Sequence, residues 1–320
     1  MKKVLITGGS GTIGSSFIKN YYDDYKFYSY SRNEKMQVSL KRSFDKVKII
    51  LGAVEDKITL SQAIIDIKPD VIIHAAALKH VDTGEITPIQ TIKSNIIGSL
   101  NVIECSSEYN VPVTIAVSTD KACIPEQNYG YSKLLMEKMF IEANNEINKF
   151  SVCRFGNVTH SHGSVLPFWL RLKANNETLK LTDSRMNRLM FSQREAVDLV
   201  HKTMQWTQKG DGGFILSKKM KTVNMLELAK VISDDVEEIG RRPGEKLDET
   251  LISTNELPYS HCIGDFIKIT EEENTSRTDI LTEEYSSLTA KKMNVDEMID
   301  MVAETDKNLK KSLFKYGIYG

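Results

Sequence analysis

The chain has 320 residues, 42 Lys+Arg against 43 Asp+Glu, a formal net charge of -1, and 41% hydrophobic against 27% charged residues. That is globular usage, which argues against wholesale disorder, and it lacks the basic excess of a general nucleic-acid binder. The four cysteines are widely spaced, with no CxxC or Cys/His cluster, so neither a disulfide scaffold nor a metal site is expected; nor does any stretch approach the roughly 20 apolar residues of a membrane span.

The opening MKKVLITGGSG has an apolar run too short for a signal-peptide core, so a reduced, cytoplasmic protein is expected. Val4 to Ile6 reads as a buried strand and Thr12 to Tyr22 as a helix. Strands follow at Tyr25 to Tyr30 and Lys48 to Leu51, then a helix over Lys57 to Ile67 and a strand at Val71 to Ile73. One long helical pattern covers Glu85 to Tyr109. Val113 to Val117 is a strand, Tyr131 to Asn145 a helix and Phe150 to Phe155 a strand. Continuous apolar strands alternating with helices predict an α/β fold, a Rossmann-type doubly wound parallel sheet. Regularity fades after about residue 160. A helix near Glu195 to Trp206, a strand at Phe214 to Leu216 and helices at Asn224 to Ile232 and Val295 to Val302 remain. The expected division is a dinucleotide-binding domain over 1–158 and a smaller α/β substrate-binding region over 159–320, whose chain has room to return to the sheet.

Gly8, Gly11 and Gly14 are spaced GxxGxxG between the first strand and the first helix. Small residues there let the backbone approach a diphosphate at the helix N-terminus, which places Gly8, Gly11, Thr12, Ile13 and Gly14 at a dinucleotide. The second strand ends in Ser31-Arg32-Asn33, with Lys35 nearby and no acidic residue for a ribose 2′-hydroxyl. A guanidinium suits the 2′-phosphate of NADP better than NAD; the alternative is a solvated arginine. Tyr129 and Lys133 form YxxxK at a helix start and share a face. A phenol needs a neighbouring positive charge to act as a base near neutral pH. Ser118-Thr119 ends the preceding strand, and either hydroxyl is a candidate to bind a substrate hydroxyl. Asp120-Lys121 stands where open α/β sheets place their chemistry.

These segments carry a family resemblance: LITGGSGTIG (5–14), YSRNEK (30–35), IHAAALKHV (73–81), STDKA (118–122), YGYSK (129–133), RFGNV (154–158), TDSRMNR (182–188) and RRPGEKLDETLIS (241–253). The chain resembles the extended short-chain dehydrogenase/reductases, and within them the soluble UDP-N-acetylglucosamine 4,6-dehydratases, including members that invert carbon 5. The resemblance implies tightly held NADP, with Ala75 and Ala76 beside it. It implies that Tyr129, assisted by Thr119 and Lys133, takes the proton of the sugar 4-hydroxyl. Lys121 then removes the carbon-5 proton and Asp120 protonates the departing 6-hydroxyl. It also implies that Asn157, Arg185, Arg242 and Glu245 hold the nucleotide diphosphate and ribose, that Lys79 lies near the sugar, and that the protein is a homo-oligomer. For the lysine to act as a base, desolvation and nearby positive charge are expected to make it neutral.

Two departures from the family pattern stand out. Gly52-Ala53-Val54 lacks the acid expected at the adenine, leaving backbone groups or Asp56. His160-Ser161-His162-Gly163 lacks an expected arginine. Cys123, near Lys121, has no visible base and reads as packing. A 4-epimerase or oxidoreductase of the same fold needs Tyr129 and Lys133 but not Asp120-Lys121. A non-catalytic NADP-binding regulator needs none of the four.

Overall fold

In the computed structural model, residues 1–242, 244–275 and 279–304 are described; Pro243 of the RRPGEK segment and residues 305–320 of the C-terminal region lie outside them. Six parallel strands come first: β1 Lys3–Thr7, β2 Lys26–Ser31, β3 Lys48–Leu51, β4 Val71–His74, β5 Val113–Thr119 and β6 Lys149–Phe155. Their spatial order is β3-β2-β1-β4-β5-β6, so the winding reverses between β1 and β4. Thr7 and His74 pair there, and the carboxyl ends of the strands open a crevice at that switch point. Val4, Leu5, Ile6, Val71, Ile72 and Ile73 are all buried, because helices cover both faces of the sheet. Burying each such side chain stabilises by roughly 1.5–3 kcal/mol.

The expected single helix over 85–109 is broken. It runs as Val81–Ile86, Pro88–Thr91, a π-helical stretch Ile92–Ile97 and Gly98–Glu108. Pro88 keeps Thr87 out of helical geometry, at φ -126° and ψ 61°. The π-helical stretch carries Asn95, whose side chain accepts from Leu78 N at 2.8 Å and donates to Leu78 O at 2.9 Å and Ser132 Oγ at 3.0 Å. A helix over Glu34–Ser43 was not anticipated from the sequence; Asn33 caps it by accepting from Met36 N.

The chain returns to the sheet after residue 158. A helix over Gln193–Lys209 opens with a Ser192/Glu195 capping box and leads to strand Ile215–Lys218, parallel to β6. A hairpin of Ser260–Ile263 and Phe266–Ile269 completes nine strands. Phe191, Val197, Leu216 and Ile267 therefore share one core with Leu5, Ile72 and Ile115, so the boundary at 158 does not separate the main core. A second core of Leu166, Trp169, Leu181, Met190, Leu228 and Val302 belongs to the C-terminal region. Among the described residues no helix is long and apolar enough to cross a membrane.

One fully buried cation ties these parts together. Arg154 on β6 donates to Glu137 through Nε (2.9 Å) and Nη2 (2.6 Å), to Leu251 O (3.0 Å) and to Glu256 (2.8 Å). Glu137 lies on the helix Asn128–Glu142, and Leu251 on a short strand Thr250–Ile252. Removing one partner of a buried pair leaves charge uncompensated, whereas replacing both sides with apolar groups does not. Arg154→Met, which leaves Glu137 and Glu256 without their cation, is expected to cost at least about 3 kcal/mol in urea unfolding, and the triple variant Glu137→Met/Arg154→Met/Glu256→Gln to cost less than Arg154→Met alone. Equal losses for the single and triple variants would contradict this account.

Candidate active site

The first helix, Thr12–Asn20, starts at Gly11 with no side-chain cap, so its leading N–H groups face the glycine loop. Gly8 sits at φ 71°, and a Cβ there would lie 2.8 Å from Ala76 N. At Gly14 a Cβ would meet Gly9 Cα at 2.5 Å. The glycines therefore let the loop pass close to β4 and to its own helix, the cradle a dinucleotide diphosphate requires. Gly8, Gly11, Ser31, Arg32, Ala75 and Ala76 line one cleft of about 190 Å³, together with Asn33, Met36 and Val54. The cleft's lining fits the adenosine and diphosphate end of a nicotinamide dinucleotide.

Some sequence-predicted residues fall elsewhere. Lys35 is not among the cleft's lining residues, where Met36 stands instead. Ile13 and Gly14 are also outside the lining: Ile13 packs against the main core, and Gly14 against the backbone of Gly8 and Gly9. Thr12 Oγ1 faces the 160–164 loop, accepting from His162 N at 3.0 Å and meeting His162 Nδ1 at 2.9 Å. Arg32 is paired with Glu55 at 3.2 Å, and the other Glu55 oxygen is buried without a hydrogen-bond partner. Asp56 is engaged in capping the helix Lys57–Ile67 through Thr59 N, so Glu55 is the carboxylate that lines the cleft.

At the end of β5, Thr119, Asp120, Lys121 and Tyr129 form one connected group. Thr119 Oγ1 donates to Asp120 Oδ1 at 2.8 Å, and Lys121 Nζ donates to the same oxygen at 3.1 Å. Asp120 is fully buried, and its Oδ2 has no hydrogen-bond partner. Burial raises the Tyr129 phenol to about 12, with Lys121 and a Thr119 hydrogen bond pulling it back and Asp120 pushing it up. The positive charge that reaches Tyr129 is thus that of Lys121. Lys133, expected in that role, donates to Val117 O at 2.8 Å and is lowered by burial to about 8, against Glu137 and Cys153.

The expectation of a lysine made neutral by its surroundings is corrected at Lys121. Burial works to deprotonate it and Arg188 assists, but Asp120 and Glu249 together outweigh both, and the net direction is upward. Glu249, which sequence reasoning missed, is buried with Oε1 3.5 Å from Lys121 Nζ. Its only sequence signal was its place in the RRPGEKLDETLIS segment. Cys123 donates to Glu256 Oε2 at 3.3 Å, and burial pushes its thiol up, consistent with packing.

The expected substrate residues are partly assembled. Asn157 Oδ1 is buried without a hydrogen-bond partner. Lys79 Nζ reaches Ser161 Oγ at 3.4 Å. Glu245 accepts from Arg242 N at 3.0 Å, which joins the two residues of RRPGEK. Arg185 turns outward onto Asp183, at 2.9 and 2.7 Å, and is largely exposed. Its neighbour Arg188 is the buried arginine, donating to the carbonyls of Asn187, Lys246 and Leu247. His160 Nε2 lies 3.0 Å from Met301 O, on the helix Val295–Val302.

This sheet order, glycine loop and Tyr-Lys helix define an extended short-chain dehydrogenase/reductase. Residues 4–271 match the family described as polysaccharide biosynthesis protein, and the chain belongs to that family. It is 37% identical over 300 residues (88% of each chain) to a Campylobacter jejuni protein named UDP-N-acetylglucosamine 4,6-dehydratase (inverting). It is 32% identical over 333 residues, 95% of this chain and 96% of the other, to a Rickettsia bellii protein named UDP-glucose 4-epimerase. The crystal structure of Pen from Bacillus thuringiensis superposes with a TM-score of 0.87 at 28% identity, over 95% of this chain and 97% of that one.

Beneath the site, His74 is fully buried between Thr7 Oγ1 (2.7 Å) and Ser99 Oγ (3.0 Å) and stacks on Phe140. Ser99 donates its own proton to Asn95 O, so His74 Nε2 is the donor to Ser99 and Nδ1 accepts from Thr7. Burial, with the Lys133 charge second, lowers His74 from 6.5 to about 3. The folded chain therefore keeps this ring neutral where the unfolded chain protonates it. The stability it confers is complete above about pH 6.5 and is lost as pH falls below that value, by up to about 1.4 kcal/mol per unit. Between about pH 7.5 and about pH 5.5 the native protein is expected to lose about 1.4 kcal/mol more than His74→Gln in urea unfolding. Parallel pH dependence in the two proteins would contradict this.

Proposed function

We propose that this protein is a nucleotide-sugar 4,6-dehydratase that removes water from UDP-N-acetylglucosamine to give the 4-keto-6-deoxy sugar, with inversion at carbon 5. The observation that carries the reading is the Asp120-Lys121 pair, set beside Tyr129 and Thr119 at the end of a central strand. An epimerase of this fold has no use for an acid and a base there. The named activity of the 37% identical relative supports the same reading.

In this reading Tyr129 takes the proton of the 4-hydroxyl, with Thr119 orienting that hydroxyl. When bound, the nicotinamide supplies reversible hydride storage between carbon 4 and carbon 6. Ser31 and Arg32 would hold the 2′-phosphate of NADP, and the glycine loop its diphosphate. The ketone at carbon 4 acidifies the proton on carbon 5, which Lys121 removes while Asp120 protonates the departing 6-hydroxyl.

Those two roles need a neutral amine and a protonated carboxyl, whereas the resting pair is held as an ion pair. The 3.1 Å contact supplies both forms together: one proton passing from Nζ to Oδ1 gives the required base and acid without solvent. Uptake of the carbon-5 proton and release to the leaving oxygen then restore the ion pair. The two protons removed, from oxygen 4 and carbon 5, equal the two returned, to the departing hydroxyl and to carbon 5.

Asn157, Arg242 and Glu245 are assigned to the nucleotide and Lys79 to the sugar, whereas Arg185 would have to leave Asp183 to reach a phosphate. The enzyme is read as a cytoplasmic homo-oligomer. The exposed Ile89, Ile92, Tyr131 and Leu135, on helices packed together, support an apolar subunit contact. Lys121→Ala is expected to lower formation of the 6-deoxy product at least ~100-fold while UDP binding measured by calorimetry changes little. Near-complete turnover in that variant would overturn the dehydratase reading in favour of an epimerase.

A further inference from the structure

Lys121 Nζ lies between two buried carboxylates that come from distant parts of the chain. Asp120 Oδ1 is at 3.1 Å and Glu249 Oε1 at 3.5 Å, with side-chain exposures of 0% and 5% against 22% for the lysine. The lysine is thus the most open of the three, and it lines the small cavity beyond together with Glu249, Gln127, Gly130, Gly244 and Lys246, whereas Asp120 does not reach that cavity. Glu249 is fixed from its backbone: its N–H donates to Ser287 Oγ at 3.0 Å, and its carbonyl accepts from Ser287 N at 2.8 Å. It immediately precedes the strand Thr250–Ile252, which Arg154 holds at Leu251 O.

A buried carboxylate is costly unless a cation compensates it, and Arg188, the other cation acting here, is engaged with three backbone carbonyls. We propose that Glu249 is a positioning residue for the carbon-5 step: its carboxylate holds Lys121 opposite Asp120 and sets how strongly the amine retains the proton it takes from the sugar. This inference rests on the dehydratase reading and deepens it.

The charged and titratable groups facing Lys121 are Asp120 from the β5 turn, Glu249 from the strand segment, Arg188 from strand Asn187–Phe191 and Tyr129 from the following helix. Glu126 and Lys246 form their own pair at the cavity rim, at 3.4 Å. Only Asp120 and Glu249 favour the ammonium, and Asp120 becomes neutral when it accepts the proton that frees Lys121. At that moment Glu249 is the one remaining anion favouring the ammonium that forms as carbon 5 is deprotonated. Removing its charge makes Lys121 a weaker base that is free at lower pH.

The test is deuterium wash-in at carbon 5 of the UDP-linked 4-keto-6-deoxy-N-acetyl product, followed by proton NMR in deuterated water across a pH series. This readout does not depend on turnover at carbon 4. In Glu249→Gln the acid limb of the wash-in profile is expected to move to lower pH by about one unit and its plateau to fall several-fold. Glu249→Asp keeps the charge and is expected to keep the limb close to the native position, with an intermediate plateau. A limb that stays fixed in Glu249→Gln, or moves equally in both variants, would overturn the inference and leave Glu249 a packing residue. If Glu249→Gln does not fold, a limb displaced by a full unit in Glu249→Asp has the same consequence. If the native protein itself forms no product and shows no wash-in, the dehydratase reading fails instead.

Discussion

The buried guanidinium of Arg154 is the constraint on which the rest of the site depends. A cation in a sheet core is tolerated only with its charge and its N–H groups matched, and the four hydrogen bonds that do this reach three separate elements. Glu137 brings the helix that carries Tyr129 and Lys133. Leu251 brings the strand segment that begins just after Glu249. Glu256 brings the 253–259 turn and, through Cys123, the turn that carries Asp120 and Lys121. One electrostatic requirement in the core thereby sets the spacing of Asp120, Lys121 and Tyr129 at the end of the sheet.

The two ends of the crevice follow different physics. At the dinucleotide end, close backbone approach dominates, and glycines supply it where β1 and β4 part. At the reactive end, charge compensation dominates. Asp120 and Glu249 lie close enough to Lys121 that their charges, and not burial alone, decide how firmly the amine holds its proton. The chemistry assigned to the pair is a redistribution of one proton between partners already in contact, which removes the need for a free lysine amine at rest.

The sheet was legible because its strands are continuous apolar runs, all but β3 largely buried, and β1 to β6 lie where the sequence puts them. Elements held by other forces were not. The helix Glu34–Ser43 buries only Gln37 and Leu40, and its three apolar residues, Met36, Val38 and Leu40, are few and alternate as in a strand. The strand at 215–218 was legible, but the others after residue 158 are two to five residues long and, the 260–269 hairpin apart, pair with partners remote in sequence. At the site, Thr119, Asp120, Lys121 and Tyr129 were legible because they are near neighbours in the chain. Glu249, Glu55 and Arg188 were not, since each matters through a contact across the fold. For Arg185 the local Asp183, two residues away, captured the guanidinium that the motif had assigned to a phosphate.

The central claim is that this site eliminates water between carbons 5 and 6 of a nucleotide sugar. Proton NMR of the purified protein with UDP-N-acetylglucosamine in deuterated water, with no added oxidant or reductant, tests it most directly. The account predicts a new 6-deoxy methyl signal and deuterium at carbon 5, with couplings that report inversion. Unchanged substrate, or a 4-epimer without a methyl signal, would contradict it.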